Sequence, residues 1–294
     1  MLNAQPSPLA PACAAAAQRL SRLALRSLYA ELALYPKPGL VSPVDSGSHD
    51  DMDAATFLRS LFALRRYYAD IAMAGMQQAG FARLRGLGMA AEARMLRATG
   101  GVNTHRGAIF ALGLLAAAAG RLWAQDAAAD DQAWRAALRC WTRELRLVPA
   151  APSHGMLAAA RYQAGGARAQ ALQGFPAVFE LALPALRTAL AQGACPRRAR
   201  LHALFHLLAQ LEDTNLLYRG GREGLDWLRG QARAFLADGG VFAPGWLARA
   251  QAMHQACRVR RLSPGGSADM LAAACFVHAW QGDTADLRYP RGRP

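Results

Sequence analysis

Apolar residues recur every three to four positions along nearly all of this chain. Between Arg198 and Leu211, the residues Leu201, Leu204, Phe205, Leu208 and Leu211 follow the i, i+3, i+4, i+7 spacing that turns one face of a helix toward a core. The same period predicts helices over Cys13–Leu34, Ala54–Ala74, Thr104–Leu122, Phe175–Ala191, Gly224–Ala237, Pro244–Arg258 and Ala268–Trp280. No stretch alternates apolar and polar positions with β-branched enrichment, no Asn-Gly pair marks a hairpin, and abundant alanine favours helix. The expectation is an all-α fold of roughly ten helices around one core, a single catalytic domain spanning residues 1–294. Glycine- and proline-rich breaks at 36–48, 99–103, 147–155, 164–166, 220–221, 238–245 and 263–266 are too short to be interdomain linkers. Ala127–Asp131 is expected to be a surface loop, and residues 1–10 and 286–294 flexible ends.

Charge changes this picture. A formal net charge of +14 and a pI near 10.7 call for an anionic partner, either nucleic acid or a phosphorylated small molecule. The cations are scattered, with no basic block interleaved with aromatics outside Arg288–Pro294, which argues against nucleic acid. Of 34 basic residues only Lys37 is a lysine, set in Tyr35-Pro36-Lys37-Pro38-Gly39-Leu40-Val41. An ammonium is a compact point charge suited to phosphate oxygens, and the flanking prolines restrict the backbone that aims it. The five cysteines fit no metal or disulfide spacing and read as reduced thiols. The longest apolar run, Ala108–Gly120, is too short to span a bilayer, and prolines interrupt the N-terminus where a secretory signal would lie. The expected setting is cytoplasmic, with no membrane partner.

Five polar breaks carry candidate chemistry. Asp45, Asp50, Asp51 and Asp53 gather four of the chain's twenty carboxylates within a few residues. A hard divalent ion such as Mg²⁺ would answer that repulsion, and helix capping ahead of Ala54 is the alternative. In Thr99-Gly100-Gly101-Val102-Asn103-Thr104-His105-Arg106-Gly107, two glycines free a turn, and Asn103 or Thr104 can cap the next helix. Arg106 in a first helical turn opposes the helix dipole, which suits a phosphate ligand better than a structural role. Gly165-Gly166-Ala167-Arg168 is a weaker pattern, and Ser153-His154-Gly155 weaker still. Asp213, Asn215 and Arg219 lie before the Gly220-Gly221 break; if the helix from Arg198 continues, His202, His206 and Asp213 share a face, as metal ligands or as a polar side. Ser263-Pro264-Gly265-Gly266-Ser267-Ala268-Asp269 is a glycine-rich run into a helix, an anion cradle without the Walker ending, in which Ser267 could equally be an N-cap.

Taken in order, these runs resemble the triphosphoribosyl-dephospho-coenzyme A synthase family over about residues 20–280. That resemblance implies an all-helical enzyme that takes ATP and 3′-dephospho-CoA, releases adenine, and joins the triphosphoribosyl group to the acceptor's ribose 2′-hydroxyl. The product would pass through a separate transferase to the acyl carrier subunit of malonate decarboxylase or citrate lyase. On this basis Mg²⁺ on the triphosphate is assigned to Asp50, Asp51 or Asp53. Phosphate and substrate contacts fall to Lys37, Asn103, Arg106, Arg168, Asn215, Arg219, Ser263, Gly265, Gly266 and Ser267. Asp213, with Asp269 as alternate, is the candidate base, and His49 or His105 the acid for departing adenine. Ala169-Gln170 replaces the family's usual Gly-Glu, and Tyr218 stands where His is common. Two other classes fit the same loops: a helical Mg²⁺-dependent nucleoside-phosphoribose hydrolase and a basic nucleic-acid-binding module.

Overall fold

The computed structural model describes residues 9–127, 130–148 and 154–283. Nearly all of both expected flexible ends, residues 128–129 of the expected loop, and Ser153 lie outside them. Among the described residues there are thirteen α-helices and no strand. They are α1 (Leu9–Leu32), α2 (Ala54–Met76), α3 (Phe81–Ala98), α4 (Arg106–Ala124), α5 (Asp131–Arg139), α6 (Thr142–Leu147) and α7 (His154–Tyr162). After these come α8 (Gly166–Leu172), α9 (Leu183–Ala191), α10 (Pro196–Gln210), α11 (Thr214–Ala237), α12 (Trp246–Val259) and α13 (Gly265–Asp283). The excess over the expected number comes from α3 and the short α5 to α8, whose apolar stripes are thin.

α4 is the axis of the fold, with α1, α2, α3, α5 and α13 packed on it. In full it is 19 residues, long and apolar enough to cross a bilayer, unlike the Ala108–Gly120 run alone. Its apolar faces are instead buried against those helices. Glycines set how closely α2 approaches: a Cβ on Gly75 would lie 1.9 Å from the Ala117 carbonyl oxygen, and one on Gly120 2.1 Å from that of Ala72. Tyr67 spans the same contact, its hydroxyl donating to Ile109 O at 2.7 Å.

Two expected helices are altered. Phe175–Ala191 begins with a π-helical turn, Ala177–Ala182, because Pro184 has no N–H to return to the preceding turn. The helix from Arg198 does not reach Asp213: it ends at Gln210, Leu211 is extended, and Asp213 starts α11 instead. α11 itself bends at Gly221, whose φ of 61° with ψ of −163° is a glycine conformation. The result points the starts of α4, α11 and α13 and the connection after α1 into one cavity.

Candidate active site

The cavity encloses about 1160 Å³ and is lined from all five sequence runs. Lys37 lies at its wall, 1% exposed. Its Nζ donates to the Glu31 backbone oxygen at 2.8 Å and to Glu31 Oε1 at 2.6 Å. Burial pulls the ammonium below its usual range, and the Glu31 carboxylate opposes that. Glu31 also lines the cavity. It escaped the sequence reading, although a carboxylate in the last turn of a helix opposes the dipole and is itself a signal.

His49 sits beside the mouth. Arg219 Nη2 donates to His49 Nδ1 at 3.0 Å, and since guanidinium only donates, the His49 proton is on Nε2, which meets Ser263 Oγ at 2.8 Å. Burial and the Arg219 charge hold this imidazole below its ordinary value. Arg219 also donates to the carbonyls of Ser48 and Arg261, so it ties the first loop to the last. Of the three candidate metal carboxylates, only Asp51 lines the cavity; it is exposed and 3.5 Å from His49 Nδ1. Asp50 lies outside the lining, and Asp53 is the N-cap of α2, accepting from Thr56 N at 2.8 Å and Thr56 Oγ1 at 2.7 Å.

At the start of α4, Asn103 Oδ1 accepts from Arg106 N at 3.1 Å, and the Arg106 guanidinium pairs with Glu92 of α3. Glu92 supplies the counter-charge that makes a first-turn arginine tolerable. His105 is buried with Nδ1 2.6 Å from Ser60 Oγ and its ring edge-on to Phe57. Burial, then the Lys37 charge, push it down to about 3, so at neutral pH it has no proton to give beyond its neutral-ring N–H. Arg168 lines the cavity and donates to the carbonyls of Leu145 (2.6 Å) and Arg146 (3.2 Å), fastening α8 to α6.

Asp213 caps two helices at once. Oδ1 accepts from Asn215 N (2.9 Å) and Leu216 N (3.3 Å) of α11, while Oδ2 accepts from Ser267 N (2.7 Å) and Ser267 Oγ (3.0 Å) of α13. Ser267 is therefore a donor to Asp213 and lies behind the cavity lining. The glycines ahead of it have a steric reason: a Cβ on Gly265 would lie 2.4 Å from Asn215 Nδ2, and one on Gly266 3.1 Å from the Asp213 carboxylate. Burial raises Asp213 against the pull of its four donors. Asp269 differs, because only the Ala108 N–H supports its charge. Burial, Glu31 and Asp213 hold it well above the usual carboxylate range. Gly107 makes room for it, since a Cβ there would fall 1.9 Å from Asp269 Oδ2.

The Lys37 loop is bolted from behind by His254 of α12, which is fully buried. Nδ1 is 2.6 Å from the Lys37 carbonyl and Nε2 is 3.0 Å from each Asp45 oxygen. The Lys37 carbonyl and the Asp45 carboxylate, one at each ring nitrogen, thus fix the His254 ring against the loop. Asp45→Asn is expected to cost about 1–3 kcal/mol of stability and to raise the KM for ATP, measured by denaturant unfolding and initial rates. Unchanged values in both would remove the bolt.

Lys37, His49, Asp51, Asn103, His105, Arg106, Arg168, Asp213, Asn215, Arg219, Ser263, Gly265, Gly266 and Asp269 thus share one cavity, while Asp50, Asp53 and Ser267 do not line it. His202 and His206 face each other at 3.2 Å (Nε2 to Nε2) away from that lining, and burial with its neighbour pushes His202 to about 4. Among the described residues no group of three or more His, Cys, Asp or Glu could hold a metal ion.

Helix starts that turn one lysine, several arginines and enclosed carboxyls toward one cavity suit a transferase of phosphorylated substrates. Residues 17–286 match the family model described as ATP:dephospho-CoA triphosphoribosyl transferase, and the chain belongs to that family. A probable 2-(5″-triphosphoribosyl)-3′-dephosphocoenzyme-A synthase of Acinetobacter calcoaceticus is 38% identical over 264 residues, 89% of this chain and 90% of the relative. A Salmonella typhimurium protein of the same description is 41% identical over 278 residues, covering 89% and 91%. The 2-(5″-triphosphoribosyl)-3′-dephosphocoenzyme-A synthase of Escherichia fergusonii is 39% identical over 282 residues, covering 91% and 93%. No solved structure matches.

Proposed function

We propose that the protein transfers the triphosphoribosyl group of ATP to the ribose 2′-hydroxyl of 3′-dephospho-CoA and releases adenine. Family membership supports the reaction, and the observation that carries it to this molecule is the convergence of five separated runs on one cavity. Lys37, Arg106 and Arg219 are the cations for the triphosphate, with Asn103, Asn215 and the Gly265-Gly266 backbone beside them. Asp51 would hold Mg²⁺ brought in by ATP. A single exposed carboxylate suits that ion, which keeps several waters and takes its remaining ligands from phosphates. When bound, Mg²⁺ would neutralise phosphate charge.

The proton chemistry falls to Asp269. Adenine leaves best when protonated, and both candidate histidines are held neutral with ring nitrogens engaged. Asp213 has its lone pairs filled by four donors, which suits it to hold α11 and α13 in register. Asp269 is pushed toward its protonated form by burial and its carboxylate neighbours, and it lines the cavity. It gives its proton to adenine as the C1′–N9 bond breaks, and the proton lost by the 2′-hydroxyl as C1′–O2′ forms restores the balance. The product then passes to an acyl carrier protein through a separate transferase, in the cytoplasm.

The test is adenine release with ATP alone and with ATP plus dephospho-CoA. Release that depends on the acceptor, with a product heavier by the triphosphoribosyl group, is expected. Free ribose triphosphate from ATP alone at the same rate would establish the hydrolase instead.

A further inference from the structure

The cavity has two kinds of wall. The loops before α2, α4, α11 and α13 supply the charged and amide groups described above. Apolar side chains of α1, α2 and α4 line part of the rest, and a further apolar side is built by α3, α6 and α7: Phe81, Leu84 and Met89 from α3, Leu145 from α6, Met156 and Ala159 from α7. α3, α6 and α8 are tied together, and α7 packs on α8 and α11. Phe81 N donates to Glu144 Oε2 at 2.7 Å, Trp141 Nε1 donates to Ala79 O at 2.9 Å, and Arg168 bridges α8 to the Leu145 carbonyl.

This wall also carries exposed apolar side chains that line the cavity. Met89 is 58% exposed and Met156 38%, and outside the cavity lining Leu147 of α6 and Leu157 of α7 are 76% and 62% exposed. Such clustering beside a cavity marks a place where an apolar ligand surface is expected. Of its polar neighbours in the lining, Glu92 is taken up by Arg106, while Gln173 and Arg85 are enough to meet an amide or two. The volume points the same way, since about 1160 Å³ exceeds the roughly 300–1,000 Å³ of pockets that enclose one drug-sized ligand.

Only one part of either substrate matches this chemistry. ATP is a nucleoside with a charged tail and has no long uncharged extension. Dephospho-CoA carries one: a thin chain of methylenes and a gem-dimethyl group, interrupted by two amides and ended by a thiol. We propose that the α3–α6–α7 wall is the subsite for this pantetheine arm, and that it selects the acceptor while the loop side binds the triphosphate. The assignment rests on the reaction proposed above. It places the acceptor's ribose between the two walls, with the arm leading out past Met89 and Met156.

Met89→Glu and Met156→Glu test it, because both side chains are exposed and neither substitution empties the core. Each is expected to raise the KM for dephospho-CoA by about tenfold or more while leaving kcat and the KM for ATP within about twofold. ADP offers the same diphosphate and 2′-hydroxyl without the arm. It should be used by the parent at least about tenfold less efficiently than dephospho-CoA, and whatever turnover it shows should not respond to either substitution. An unchanged dephospho-CoA KM in both variants, an equal rise for ATP, or a parent that uses ADP as well as dephospho-CoA would overturn the subsite. A parent that releases no adenine with any acceptor would instead remove the reaction on which the subsite rests.

Discussion

Asp269→Asn is expected to slow adenine release by about 10²–10⁴-fold and to yield a protein that melts at a higher temperature than its parent. The two effects have one cause. Asp269 is enclosed near Glu31 and Asp213, and a single backbone N–H favours its charged form. The folded protein therefore keeps a proton on Asp269 at pH values where the unfolded chain has released it. Wherever the native state binds more protons than the unfolded state, stability falls as pH rises. That window opens just above the ordinary carboxylate value and extends up to the raised one. Asparagine does not titrate, so the stability gap between variant and parent should be small near the ordinary carboxylate value and widen as the pH rises above it. Activity moves the other way, because the amide has no proton to give to departing adenine. Melting temperatures across that range, alongside single-turnover adenine release, check both halves. Near-parental adenine release would take Asp269 out of the chemistry, and a gap that does not change with pH would show that its carboxyl is not protonated in the fold.

How far the sequence disclosed this site depends on the range of the interaction. Local patterns were legible. Asp53 read as a candidate helix cap, the Gly220-Gly221 break became the bend at Gly221, and α1, α2, α4 and α10 followed their apolar period, whereas Asp213 read as a possible continuation of α10 and in fact starts α11. α3 was hidden because its buried residues, Phe81, Leu84, Ala91 and Met95, are too sparse to make a stripe, and Gly86 and Gly88 interrupt it. Partner choice was not legible. Asp213 meets Ser267 across 54 residues and Asp45 meets His254 across 209, and nothing near either residue in the chain specifies its partner. The same limit explains the acidic run from Asp45 to Asp53. As a string it suggests one metal site, yet folding sends Asp45 to His254, Asp53 to the start of α2 and only Asp51 to the cavity. The Gly265-Gly266 pair suggested a phosphate cradle, and the structure adds a closer cause in the pressure of Asn215 and Asp213 against it.

Lys37→Met should separate the structural and functional duties of the chain's only lysine. Methionine matches its length and tolerates burial, so the loss is one of charge rather than volume. The Glu31 carboxylate, 6% exposed and bonded to Nζ at 2.6 Å, would be left without its cation. Breaking one side of a buried pair costs about 3–5 kcal/mol, and removing one preorganised cation from a charged transition state costs about 10²–10³-fold in rate. Adding Glu31→Gln removes the stranded charge. The double variant should therefore regain most of the stability, because an uncharged pair of similar shape can replace a buried ion pair at little cost. It should regain none of the adenine release, since the triphosphate still lacks its ammonium. Urea unfolding and single-turnover rates on the two single variants and the double variant complete the cycle. If Lys37→Met alone were as stable as the parent, the buried pair would carry no weight in the fold. If the double variant recovered adenine release along with stability, Lys37 would be a structural lysine whose charge serves Glu31 and not the nucleotide.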